Sequence, residues 1–96
     1  MITVKYDKRR NLLICEGHAG YAETGKDIVC AAVSATMRMV VTAAYTDGDS
    51  AEVKDGYIRV KLGKKSRDAA AVMRTAYACL EALAVEYPEN VRAFLS

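Results

Sequence analysis

The chain has 96 residues, which leaves room for one domain built on one core, spanning residues 1–96. Hydrophobic residues make up 52% and charged residues 27%, a globular composition and not a disordered one. Fourteen Lys and Arg against twelve Asp and Glu give a net charge of +2, too weak a bias to argue nucleic acid or membrane by itself.

The main apolar segment runs uncharged from Ile28 to Met37 before Arg38 interrupts it, short of the roughly twenty apolar residues that a membrane span needs. The opening MITVKYDKRR has no apolar core behind a basic start, so no secretory signal is expected there. Cys15, Cys30 and Cys79 are an odd count in a short chain, which points to reduced thiols and the cytoplasm.

In chain order, Ile2, Val4 and Tyr6 alternate with Thr3 and Lys5, the pattern of a half-buried strand. Asp7–Asn11 is a polar turn and Leu12–Gly17 a second strand, so the two are expected to form a hairpin. Gly17–Lys26 holds three glycines, Gly17, Gly20 and Gly25, has no apolar period and reads as a mobile loop. Asp27–Tyr45 reads as a helix with Asp27 as N-cap, apolar almost all round and therefore expected to be deeply buried. Thr46–Ser50 is a turn. Two short strands flank Asp55–Gly56, a hairpin signal. A second helix begins near Ser66, with Ala69, Val72, Met73, Ala76, Leu80, Leu83, Ala84 and Tyr87 along one face. Pro88 ends it or opens a final turn to Leu95. The order β-β-α-β-β-α predicts an α+β sandwich of two layers, an antiparallel sheet with both helices on one face.

The only histidine, His18, stands where the second strand enters the glycine-rich loop, and Cys30 falls in the first turn of the apolar helix. A helix N-terminus carries free N–H groups and a partial positive charge, which stabilise a thiolate. A thiolate beside an imidazole is the recipe for a cysteine nucleophile, and the same N–H groups offer to bind an oxyanion. Asp27 has two readings, a cap on the helix N–H groups or a partner that orients His18. Ser34 shares a helix face with Cys30 and either adds a donor near the thiol or bonds back to the carbonyl of residue 30.

Two rival readings stand beside this one, the first using the same residues. Cys15, His18, Cys30 and Cys79 would make a Cys3His zinc set, although Cys15 lies in a strand and Cys79 in mid-helix, where both read better as small core residues. Lys5, Lys8, Arg9 and Arg10 with Lys61, Lys64, Lys65 and Arg67 would suit a small ribosome- or RNA-associated protein, but no aromatic platform accompanies them.

The block Gly17–Ala35, GHAGYAETGKDIVCAAVSA, resembles the signature of the ribosomal-processing cysteine protease (Prp) family. That signature is Gly-His-Ala, a variable loop, then Gly-x-Asp-Ile-Val-Cys-Ala-Ala-x-Ser. It stands here as Gly17, His18 and Ala19, then Gly25, Asp27, Ile28, Val29, Cys30, Ala31, Ala32 and Ser34. A weaker likeness continues through Asp55-Gly56-Tyr57 and through Leu83, Tyr87, Pro88, Asn90 and Val91.

The resemblance implies a homodimeric cysteine endopeptidase with an α/β sandwich fold. It would remove the N-terminal extension of bacterial large-subunit ribosomal protein twenty-seven, with no metal or other cofactor, no membrane and no direct nucleic-acid role. Carried over, Cys30 is the nucleophile and His18 the general base. Asp27 and Ser34 take supporting roles, and Gly17, Gly20 and Gly25 belong to the loop beside the site.

Overall fold

The fold is that of a computed structural model describing residues 1–23 and 26–96. Strands β1 (Ile2–Asp7) and β2 (Leu12–Gly17) form the expected hairpin, in register from Ile2 opposite Gly17 to Asp7 opposite Leu12. The Asp7 carboxylate closes the turn by accepting from the N–H groups of Arg9 and Arg10. Helix α1 (Ile28–Thr46) follows, then the hairpin of β3 (Ala51–Lys54) and β4 (Tyr57–Lys61), then helix α2 (Arg67–Glu86). Strand β5 (Val91–Leu95) comes last, after Pro88, whose missing N–H and fixed φ suit a break in the helix.

The α+β class and the helices on one face hold, but the sheet is mixed. Its order is β3-β4-β2-β1-β5, and β5, which the sequence presents only as a terminal turn, lies parallel to β1. A parallel neighbour requires a crossover, which α2 supplies. Five residues of modest alternation carry no local signal for a partner so distant in sequence.

The buried face of the sheet presents Ile2, Val4 and Tyr6 from β1, Leu13 and Cys15 from β2, and Val60 from β4. Against it pack Val29, Val33, Met37, Val40 and Ala44 of α1 and Ala69, Met73, Ala76, Tyr77 and Leu80 of α2. The second helix obeys its predicted face.

The first helix does not, for it is not buried all round. Ile28, Met39 and Tyr45 are 58%, 63% and 56% exposed, so an apolar stripe faces outward. By length and mean hydropathy (1.6) α1 is apolar enough to cross a membrane, yet its other face is part of the shared core. Ser66 occupies the N-cap position of α2 without capping it. The Asp47 carboxylate instead accepts from the Ala69 N–H at 3.0 Å, and Ser66 Oγ donates to Asp49. A helix start is thereby fastened to the turn that leaves α1.

Candidate active site

The site lies where β2 ends. Gly17 has φ +102°, and a Cβ there would overlap the Met1 carbonyl oxygen, so only glycine lets the chain turn off the sheet at this point. The Gly17 N–H donates to the Gly56 carbonyl at 2.8 Å, which ties the end of β2 to the tip of the β3–β4 hairpin. His18 follows, exposed, its ring lying over Gly56.

Ala19 turns inward and is only 2% exposed. Its N–H donates to Cys30 Sγ at 3.2 Å, and its carbonyl accepts from Asn90 Nδ2 at 3.0 Å. The segment that carries the histidine is thus hydrogen-bonded to the sulfur on one side and to the entry of β5 on the other. Cys30 itself is half-buried in the first turn of α1, as its sequence position predicts.

Asp27 takes the capping role and adds a second. One carboxylate oxygen accepts from the Cys30 N–H at 2.9 Å, and the other accepts from Tyr21 and Ala22 at 2.9 and 3.3 Å. One side chain therefore caps the helix and holds the loop in front of it. The Cys30 N–H pulls the carboxyl below its ordinary value of 3.8. Burial pushes the other way by less, and the N–H groups of Ala22 and Tyr21 add to the lowering.

Two consequences follow. The loop read as mobile is tethered at Ala19, Tyr21 and Ala22, with the Tyr21 ring edge-on to Tyr87 at 5.6 Å. Gly25 lies outside the described residues. The Cys30 N–H, a natural oxyanion donor, is also already engaged, and the Ala31 N–H bonds the Asp27 carbonyl at 3.1 Å.

Because the folded-state value is depressed, the stability Asp27 contributes is present above the unfolded value and disappears as pH falls through the folded one. Melting of Asp27→Ala is expected to trail wild type by a constant gap between pH 5 and 7, a gap that closes on acidification below the ordinary value of 3.8. Thermal denaturation across a pH series checks it, and a gap that widens in acid contradicts it.

Cys30, His18, Asp27 and Ser34 line one cleft of about 760 Å³ between α1 and the β3–β4 hairpin. Ser34 is exposed one turn beyond Cys30, and Arg38 follows one turn later on the same wall. Val33, Met37 and Ile58 make that cleft partly apolar, and Gly20 stands beside His18 among its lining residues.

Cys15 lines the cleft from β2. Burial pushes its thiol up to about 11, with the charges of Cys30 and Glu16 adding to the effect, so it is no nucleophile at neutral pH. Cys79 is exposed on α2 and is not the core residue its helical setting suggests. Among the described residues no three of His, Cys, Asp and Glu gather as metal ligands. In the basic clusters, Lys5 pairs with Glu16 at 3.8 Å and Arg10 with Asp7 at 3.6 Å. The local sequence gives no sign of the Ala19 amide on the sulfur, of the Asn90 clasp, or of any role for Gly56 beyond a turn. Each depends on segments brought together from far apart.

The family model described as cysteine protease Prp matches residues 1–92. A ribosomal processing cysteine protease Prp of Mycoplasma genitalium is 32% identical over 92 residues, covering 92% of this chain and 91% of the relative. Two crystal structures of an essential ribosomal processing protease Prp from Staphylococcus aureus match over 100% of both chains. The one with a covalently linked product peptide has a TM-score of 0.84 at 29% identity. The one with a substrate peptide has a TM-score of 0.80 at 26% identity.

Proposed function

The chain belongs to the Prp family of ribosomal-processing cysteine proteases, and we propose that it removes the N-terminal extension of bacterial large-subunit ribosomal protein twenty-seven, with Cys30 as nucleophile and His18 as general base and acid. The observation that carries the assignment of residues is the Ala19 N–H on Cys30 Sγ at 3.2 Å, because it brings the His18 segment against the one thiol at a helix N-terminus. That N–H points at the sulfur, which stands at the N-terminal end of α1.

In this reading the extension enters the cleft as an extended peptide, its apolar side chains on Val41, Val53 and Ile58. His18 takes the thiol proton as the Cys30 sulfur adds to the scissile carbonyl, forming the C–S bond and a tetrahedral oxyanion. Since the Cys30 N–H is held by Asp27, the oxyanion falls to the Ala19 N–H, which leaves the sulfur as the C–S bond forms. His18 gives its proton to the leaving amine as the C–N bond breaks, then takes a proton from water, which hydrolyses the thioester. Asp27 keeps helix start and loop in register, and Ser34 borders the peptide one turn on. A ribosomal-protein substrate places this work in the cytoplasm.

The test uses a synthetic peptide spanning the extension and its junction. Mass spectrometry is expected to show one cut at the junction and none in a scrambled peptide. Salt-sensitive ribosomal RNA binding without any cut would favour a binding protein instead.

The implied homodimer has a natural surface in the outward stripe of α1, where Ile28, Met39 and Tyr45 are exposed. Light scattering is expected to give twice the chain mass for wild type and the single mass for Met39→Glu with Tyr45→Glu. An unchanged mass removes that surface from consideration.

A further inference from the structure

Gly56 has φ +70°, and a Cβ built on it would lie 2.9 Å from His18 Nε2 and 3.5 Å from both Cδ2 and Cε1. The imidazole therefore approaches with its Nε2 end foremost and rests where any other residue would place a side chain. The Gly56 carbonyl meanwhile accepts the Gly17 N–H at 2.8 Å, so the same residue fixes the backbone immediately before the histidine. The hairpin tip contacts both the ring and the stem that carries it. His18 is exposed, and no hydrogen bond to a described side chain orients its ring.

We propose that Gly56 is a positioning residue for the reaction: the bare α-carbon of the β3–β4 turn is the seat on which the His18 imidazole rests, at the edge of the cleft that Cys30 also lines. The proposal rests on the catalytic role assigned to His18. Asp55–Gly56 thereby serves twice, as the turn that pairs β3 with β4 and as the support under the Nε2 end of the ring. A methyl group at position 56 forces the ring off its seat, because the 2.9 Å approach is closer than carbon and nitrogen tolerate and an exposed ring yields before the backbone does.

The test compares Gly56→Ala and Gly56→Asn with Gly48→Ala. Gly48 also has a positive φ, +87°, but a Cβ there meets nothing within 4 Å, so it reports backbone strain without the contact. Asparagine tolerates the left-handed conformation better than alanine does, so Gly56→Asn keeps the test alive if Gly56→Ala folds poorly. Each variant is measured for kcat and KM on the junction peptide and for the imidazole Hε1 resonance, which is unambiguous with a single histidine in the chain.

The expected result is a kcat lower by about tenfold to a hundredfold with KM within about threefold. The Hε1 signal is expected to shift in both Gly56 variants and to stay in place in Gly48→Ala. A loss confined to KM, or a kcat loss no larger than that of Gly48→Ala with the resonance unmoved, overturns the proposal. If the resonance moves but His18→Ala still cuts, the seat exists and the catalytic role of His18 is what fails.

Discussion

Replacing Cys30 by alanine is expected to lower kcat/KM on the junction peptide by at least about 10⁴-fold, to the background of the assay. The size follows from the chemistry, for without the sulfur no thioester forms and no other described group in the cleft takes its place. Cys15 is the nearest rival, but burial has pushed its thiol up to about 11, so it is almost wholly protonated at pH 7. Cys79 is exposed on α2 and does not line the cleft. Cys15→Ala and Cys79→Ala are therefore expected to keep activity within about tenfold of wild type. Steady-state kinetics on the three variants, with melting curves to verify folding, decide the matter. Cleavage by folded Cys30→Ala at more than a trace would end the proposed mechanism.

His18→Ala is expected to cost about 10²- to 10⁴-fold in kcat, the range of a single positioned acid–base group, with a smaller effect on KM. The ring is exposed and outside the core, so its removal leaves the melting temperature nearly unchanged. The Ala19 N–H bond to the sulfur belongs to the backbone and survives the substitution. The sulfur and its backbone contact remain in this variant, while the proton carrier is gone. Added imidazole is then expected to restore a measurable part of the rate by entering the vacated space. Recovery by imidazole but not by an equal concentration of an inert amide separates lost proton transfer from a misfolded loop. Full activity in His18→Ala would remove the residue from the mechanism.

Much of the site is legible in a short stretch of chain because its parts obey local rules. Asp27 as N-cap, Cys30 in the first helical turn and a loop entered through Gly17 each express backbone chemistry readable within a few residues. The two readings of Asp27 could be separated only in three dimensions, where its carboxylate holds the Cys30 N–H with one oxygen and the loop with the other. Most of the buried face of α2 is likewise expressed by a 3.6-residue period, which picks out Ala69, Met73, Ala76 and Leu80 but not Tyr77. That of α1 is not, because a helix apolar on every side has no period from which to choose a face.

Local chain chemistry alone specifies the identity and spacing of the proposed reacting groups, Cys30 and His18, together with the elements on which they stand. Alternation, helical period, caps and turn residues act over a few positions and depend on no distant partner. Packing in three dimensions sets the rest: β5 lies parallel to β1, Asn90 clasps the carbonyl of Ala19, the Ala19 amide points at the sulfur, and Gly56 lies beneath the imidazole. Each of these joins residues far apart along the chain, and their meeting is set by how the sheet and helices pack together.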